Sequence, residues 1–535
     1  MRHDLELVSI PNAARVAAAK WPQAEALVEG DERWSFAELE RRMLESVGAA
    51  IAAGVEPGDR VALWGPNSAA WIVAALGIQG AGGILVPVNT RFKAEEVAHV
   101  LRTSGAKMLV SVGDFLGTDY IGMLLAGAPD LVGSIQIVAL DDEPRVGVLG
   151  WGEYLAAGAA TGLDSAHSSI DAVAAEDLSD IMFTSGTTGA PRGVQLTHGQ
   201  SLRTFGWLTS VFTFGREDRN LVVPPFFHAF GYKCGWMADL IHGTVTIPQP
   251  VFELEEIMGR IEAERVTVLL GPPTLFIDLI NHPRRPDFDL SSLRVTVPSA
   301  ANVAPELYAR IERELGFEVV LSGYGLTEAT AVVAASRPGD DPHEIANSVG
   351  RPMDDAEVIV ADEGGNPLPA GETGEILIRG YNVMSGYWED PEATAEVIDA
   401  DGWLHTGDIG EFTEAGFLRI TDRKKDMVIV GGFNVYPAEV ERILMQKEEI
   451  AHAAVVGVED PRVGEVSFAF VVAAPGAQLE GKDVIAWARE SMANFKVPRY
   501  VEIVTDLPRN ASMKVLKLEL RERAALLAKI GVEQV

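Results

Sequence analysis

From about residue 25 to 420, short apolar, β-rich runs alternate with helical runs rich in Ala, Leu and Glu. "DRVALWG" precedes "SAAWIVAALGIQGAG", and "GILVPVN" then reads as strand again. "AKMLVSV", "SIQIVAL", "SDIMFTSG", "RNLVVPP", "VTVLLGPPT" and "LRVTVPSA" repeat the theme, each beside a turn signal or a helix start. A parallel neighbour is reached only through a crossover, and a parallel sheet needs cover on both faces. The rhythm therefore predicts an α/β fold of helix-covered, mainly parallel sheets. Over about 356–421 it gives way to the Gly-punctuated runs "AEVIVAD", "GEILIRG" and "GFLRITD", which predict a small antiparallel barrel or sheet. "TDRKKDM" then packs five charged residues into six positions. We place a boundary there, between a large N-terminal domain over 1–421 and a small α+β domain over 422–535. In the latter, "PAEVERILMQ" and "KDVIAWARESM" read as helices, and "HAAVVGVED" and "EVSFAFVVA" as strands.

A chain of 535 residues exceeds one ordinary domain. Its formal net charge of −33 argues against nucleic acid as a partner, because phosphate contacts need clustered Lys and Arg. An anionic substrate would need a local cationic site. Cys234 is the one cysteine, so neither an internal disulfide nor a cysteine metal cluster is available, and it reads as a small buried hydrophobe. The N-terminal run "MRHDLELVSIPNAARV" has no signal-peptide pattern. The most membrane-like run, Trp71 to Val88, is broken by Gln79, four glycines and Pro87, which fits a buried helix followed by a strand rather than a span. A cytoplasmic location is expected.

Three stretches carry chemistry. "FTSGTTGAPRGVQLTH", Phe183 to His198, follows a strand and crowds hydroxyls, glycines and one cation together. Backbone N–H groups and hydroxyls wrapped in this way suit a polyphosphate, and Gly186, Gly189 and Gly193 allow close approach; a solvated loop has the same composition. "SGYGLTEAT", Ser322 to Thr330, offers Tyr324 to stack on a base, Thr327 for a phosphate and Glu328 for Mg²⁺, or else is an ordinary turn into a helix. In "WLHTGDIG", Asp408 is either an acceptor for two ribose hydroxyls or an Asx-turn residue.

"FTSGTTGAPRGV", "YGLTEAT", "HTGDIG", "ITDRKKDMVIVGGFNVYPAEVE" and "LPRNASMKVLK" resemble, in order and spacing, the adenylate-forming superfamily of acyl-CoA synthetases, peptide-synthetase adenylation domains and beetle luciferases. The resemblance runs from about residue 12 to 525. It implies that a carboxylate attacks the α-phosphate of Mg-ATP, giving an acyl-adenylate and pyrophosphate, and that an acceptor, usually the thiol of coenzyme A, then displaces AMP. It assigns Thr184, Ser185, Gly186, Thr187, Thr188 and Gly189 to the phosphate clamp, with Arg192 beside them. Glu328 would carry Mg²⁺ and Thr327 would contact the α-phosphate or acyl oxygen. Tyr324 with Ser299, Ala300, Ala301 and Asn302 would form the adenine pocket, and Asp408 with Arg423 the ribose grip. Lys514 matches the adenylation lysine, which bridges carboxylate and α-phosphate as negative charge builds. Lys425 matches the hinge for rotation of the small domain, and Gly431 and Gly432 the loop lining a coenzyme A tunnel.

Two positions depart from the pattern. Arg192 stands where the family usually has lysine, keeping the charge as a planar fork. Met513 replaces the glycine usual before the adenylation lysine, which would strain a left-handed backbone by ~1–3 kcal/mol. "PPFFHAFGYKCGW" matches the wall of the acyl pocket, giving His228, Phe230 and Gly231 a lining role without proton transfer; Gly271, Pro272 and Gly323 would complete the pocket. These segments resemble ligases for a steroid-derived indanedione propanoate and for branched or medium-chain fatty acids, so a bulky or alicyclic acid is expected. Three readings remain: an acyl-CoA ligase, an adenylating ligase that passes its acyl group to an amine, and a decayed nucleotide-binding relative. A homodimer is compatible with each.

Overall fold

The computed structural model describes the backbone of residues 7–131, 133–143, 145–184, 191–299, 303–423, 426–430, 433–460, 464–492, 494–509 and 515–530. Two sheets dominate the N-terminal part. A seven-stranded sheet has the order Val319–Val320, Val295–Thr296, Val268–Leu270, Arg219–Val222, Val245–Pro248, Glu25–Glu29 and Glu32–Ser35. Its neighbours are parallel except for the last pair, a hairpin. The eight-stranded sheet is parallel from Leu178–Thr184 through Ile84–Val88, Arg60–Trp64, Met108–Ser111 and Gln136–Ala139 to Leu149–Gly150. At its other side it turns antiparallel: Leu178–Thr184 folds back on Arg192–Thr197, which pairs in turn with Gly386–Tyr387. The strand-rich segment realises the expected barrel or sheet as a four-stranded antiparallel sheet, Ala356–Ala361, Gly374–Gly380, Leu404–Phe412 and Leu418–Arg423.

Beyond it, Phe433–Val435, Val428–Val430, Gly464–Ala473, Ile450–Asp460 and Tyr500–Val504 make a five-stranded sheet that packs with helices Pro437–Leu444 and Gly481–Ser491. Val428, Val440, Leu444, Val455, Val471 and Val484 form an apolar cluster of their own there.

The membrane-like run is a core helix, Ala69–Gly80, followed by the strand Ile84–Val88. Ser68 caps the helix by accepting from the Trp71 N–H at 3.1 Å. Nearly every residue in it is buried, which explains why it is apolar all round rather than amphipathic. Trp71 meets Phe226 at 5.3 Å between ring centroids, and Tyr232 stacks on Trp236 at 5.0 Å. Among the described residues, no helix is long and apolar enough to cross a membrane.

One charged pair lies wholly inside this apolar packing. Lys233 and Asp180 are both 0% exposed, with Nζ and Oδ1 3.0 Å apart. Lys233 also donates to Ser201 Oγ at 2.7 Å, and Ser179 Oγ donates to Asp180 Oδ2 at 2.7 Å. The pair joins the aromatic segment around Tyr232 to the strand that leads toward Thr184. Removing one member leaves an uncompensated buried charge, whereas an apolar pair of similar volume is tolerated. Lys233→Met should therefore cost ~3–5 kcal/mol, read as a lower thermal midpoint, and adding Asp180→Leu should recover much of the loss.

Nearby, the fully buried His198 accepts the Ile10 N–H on Nδ1 at 3.2 Å. Burial, reinforced by Lys233, pushes its pKa down to about 3. The unfolded chain, with an ordinary imidazole near 6.5, binds a proton that the folded chain refuses. The folded state thus loses stability as pH falls from about 6.5 toward 3, by up to ~1.4 kcal/mol per pH unit. Thermal midpoints measured from pH 7 to 5 should fall less steeply in His198→Asn than in the parent.

Candidate active site

Parallel pairing brings the carboxyl ends of the central strands to one edge, and the expected site residues follow those ends. Pro224 to Phe230 come after Arg219–Val222, Gly271 and Pro272 after Val268–Leu270, and Ser299 after Val295–Thr296. Gly323 and Tyr324 come after Val319–Val320. Open α/β sheets bind ligands at this edge. The Ser299 N–H donates to Gly271 O at 3.0 Å, and Pro298 bridges Gly271 in parallel register, so two of these loops are stitched together.

The wall segment is held by a residue that sequence reasoning missed. Asn67, 4% exposed, donates from Nδ2 to Val222 O and Pro224 O, each at 2.9 Å, and accepts the Phe226 N–H at 2.7 Å. His228 is half-buried, and its Nδ1 accepts the Phe230 N–H at 3.3 Å, capping the short turn Ala229–Gly231. Cys234 is buried as expected, and burial raises its thiol pKa well out of the reactive range.

Thr184 ends its strand opposite Arg192 in the antiparallel hairpin. Arg192 therefore opens the return strand instead of lying free in the loop. Its guanidinium lies 5.4 Å from the Tyr387 ring centroid, with Asp390 at 3.8 Å and Glu396 at 3.9 Å. Ser185, Gly186, Thr187, Thr188, Gly189, Ala300, Ala301, Asn302, Lys425, Gly431, Gly432, Met513 and Lys514 lie outside the described residues, as does the side chain of Arg423.

The "YGLTEAT" segment is a tight turn rather than the start of a helix. A Cβ on Gly325 would sit 2.0 Å from Ala331 O, so only glycine fits. Thr327–Ala329 form a single 3₁₀ turn, followed by Thr330 and Ala331 at φ 51° and 61°. Two successive non-glycine residues in the left-handed region hold strain of ~1–3 kcal/mol each, which surrounding contacts must maintain. Those contacts come from a second segment that sequence reasoning missed. Thr330 Oγ1 donates to Asn382 O at 2.7 Å, Asn382 Nδ2 donates to Val332 O at 2.9 Å, and the Met384 N–H donates to Glu328 O at 2.8 Å. Tyr387 Oη donates to Glu328 Oε1 at 2.9 Å. The one legible signal was polar and aromatic residues within a glycine-flanked connection, "GYNVMSGYW".

Tyr324 Oη donates to Asp408 Oδ2 at 2.5 Å, so the expected base-stacking ring and ribose carboxylate are neighbours. Asp408 is 4% exposed and pairs in register with Arg423 on the adjacent strand. Gly407, at φ 68°, donates its N–H to Glu375 Oε1 at 3.2 Å and turns the chain just before Asp408. The structure thus links Thr184, Arg192 and Glu328 through Tyr387, and joins Tyr324 to Asp408 in a separate contact.

Among the described residues, no group of three His, Cys, Asp or Glu gathers around a point. A hard divalent cation at Glu328 fits nonetheless, because Mg²⁺ is held by one or two carboxylates plus substrate phosphates and water. Glu328 supplies a hard oxygen beside the hydroxyl-bearing Thr327, and Tyr387 connects it to the strand that returns from the loop after Thr184.

Comparison with known proteins places the chain in a family. A family model described as "AMP-binding enzyme" matches residues 14–388, and one described as "AMP-binding enzyme C-terminal domain" matches 439–514. A 3-[(3aS,4S,7aS)-7a-methyl-1,5-dioxo-octahydro-1H-inden-4-yl]propanoyl:CoA ligase of Mycobacterium tuberculosis is 47% identical over 518 residues, 97% of this chain and 99% of the relative. The solved anthranilate CoA ligase AuaEII, in complex with anthranoyl-AMP, has a TM-score of 0.88 and 26% identity over 99% of this chain and 100% of its own. The amide bond synthetase McbA from Marinactinospora thermotolerans has a TM-score of 0.81 and 29% identity over 96% of this chain and 99% of its own. On these matches the chain belongs to the AMP-binding enzyme family, the adenylate-forming ligases.

Proposed function

We propose that this ATP-dependent acid–thiol ligase acts on a bulky alicyclic carboxylic acid carrying a short propanoate-type arm. The observation that carries the reading is the 47% identity, over nearly both full lengths, to the indanedione propanoyl:CoA ligase. In the first step a carboxylate oxygen attacks the α-phosphorus of ATP, and the bond to the pyrophosphate oxygen breaks. In the second the thiol sulfur of coenzyme A attacks the acyl carbon, the acyl–phosphate C–O bond breaks, AMP leaves and the thiol proton passes to solvent.

The residue roles are part of the proposal. Thr184, with the loop from Ser185 to Gly189, holds the β- and γ-phosphates, and Thr327 orients the α-phosphate. Glu328 holds Mg²⁺, which when bound neutralises the phosphate oxygens. Tyr324 and Ser299 border the base, and Asp408 and Arg423 hold the ribose. Positioning and charge neutralisation of this kind do most of the work in phosphoryl-group chemistry. The segment Pro224 to Phe230, clamped by Asn67, forms the acyl wall opposite Gly271 and Pro272. Lys514 bridges the reacting carboxylate and the α-phosphate, and the 422–535 domain turns about Lys425 to exchange it for the Gly431–Gly432 loop. We place the enzyme in the cytoplasm, where both co-substrates are made.

A second reading, transfer to an amine, is kept by the similarity to an amide bond synthetase and by Met513 beside Lys514. A competitive reaction containing Mg-ATP, alicyclic and fatty acids, coenzyme A and mixed amino acids separates the two by mass spectrometry. The expected product is a thioester of an alicyclic acid; a linear fatty acyl thioester would overturn the acid assignment, and an amide formed despite the thiol would overturn the acceptor. Lys514→Ala should lower adenylation about 100- to 1,000-fold while thioesterification of a supplied acyl-adenylate persists. An equal fall in both half-reactions would refute the proposed alternation.

A further inference from the structure

The residue that presents the metal-holding carboxylate comes from a part of the chain with no assigned role. Tyr387 lies in the short strand Gly386–Tyr387 and is 8% exposed. Its hydroxyl donates to Glu328 Oε1 at 2.9 Å. No hydrogen bond or ion pair reaches the other carboxylate oxygen from the described residues.

The position of Tyr387 is itself fixed from both sides. Its N–H donates to Thr394 Oγ1 at 2.9 Å, and Thr394 Oγ1 donates to Asp390 O at 2.8 Å. It pairs in register with Val194 on the strand that starts at Arg192, and the next residue, Trp388, donates its N–H to Gly193 O at 2.7 Å. Tyr387 therefore touches the Glu328 turn on one side and the return strand of the phosphate-loop hairpin on the other. Five residues earlier, Asn382 grips the strained Thr330–Ala331 backbone.

We propose that Tyr387 is a positioning residue that pins one oxygen of Glu328 so that the other faces the divalent cation of the ATP complex, in register with the phosphate-loop hairpin. The inference rests on the proposed role of Glu328 and adds to it. A carboxylate fixed by a second group binds metal more tightly than one free to rotate, and loss of such a partner typically costs 10–100-fold in metal affinity.

The test uses the full-length protein and Mn²⁺, whose binding to the enzyme–ATP complex is read by water-proton relaxation without turnover. Tyr387→Phe keeps the ring beside Arg192 and Val194 and removes only the hydroxyl. It should weaken Mn²⁺ affinity about tenfold while leaving metal-free ATP affinity and the thermal midpoint unchanged, and saturating Mg²⁺ should restore most ATP–pyrophosphate exchange. Glu328→Gln should weaken Mn²⁺ binding at least as much, and the double variant should be no worse than Glu328→Gln alone, because both act through one carboxylate. Parental Mn²⁺ affinity in Tyr387→Phe, or an equal fall in metal-free ATP affinity, would overturn the inference. If Glu328→Gln weakens the metal and Tyr387→Phe does not, only the positioning role fails. If Glu328→Gln also retains parental affinity, the metal assignment of Glu328 fails with it.

Discussion

Parallel strand pairing is the constraint on which the rest of this enzyme depends. Because each parallel neighbour is reached through a crossover, successive strands end at the same edge of the sheet. Pro224, Gly271, Ser299 and Gly323 are far apart in sequence, yet each follows a strand of the seven-stranded sheet and arrives at that edge. The loops there are free to carry chemistry because the strands beneath them are locked in a core with Val222, Val268 and Val295 buried. The buried Lys233–Asp180 pair ties the aromatic wall segment to the neighbouring sheet, and Asn67 ties it to the strand end it leaves.

Strain and its restraint meet at Glu328. The turn that carries it leaves the 3₁₀ conformation through two left-handed residues, an arrangement that would relax if unsupported. Support comes from Asn382, Met384 and Tyr387, a segment that also edges the eight-stranded sheet next to the phosphate-loop hairpin. A short connection therefore fixes the carboxylate and the loop strand relative to each other. Under the proposed roles of Glu328 and the loop after Thr184, this connection would set the separation of cation and phosphates that adenylation needs.

Much of the fold was legible in the chain because its signals are local. Runs such as "DRVALWG" and "VTVLLGPPT" are apolar without alternation because both faces of a parallel sheet are covered, and each became a parallel strand. The apolar run at Trp71 was correctly separated from a membrane span by its glycines, Gln79 and Pro87. The family was legible for another reason: Tyr324, Glu328 and Asp408 sit in short ordered motifs whose spacing resembles a known family. The residues missed, Asn67, Asn382 and Tyr387, act at long range. Tyr387 lies 59 positions from Glu328, and Asn67 lies 157 from Pro224. A lone Asn or Tyr in a loop carries no local mark of what it will meet.

The sequence by itself determined the class of fold, the order of its strands and helices, and an acidic composition that argues against a nucleic-acid partner. These follow from periodicity, charge and motif spacing, which chain neighbours alone express. Tertiary structure decided that Arg192 begins a return strand stacked on Tyr387, that Tyr324 and Asp408 share a hydrogen bond, and that Tyr387 holds the Glu328 carboxylate. Each is a contact between segments whose separation is set by sheet order and register, and a register is fixed only when whole faces pack together.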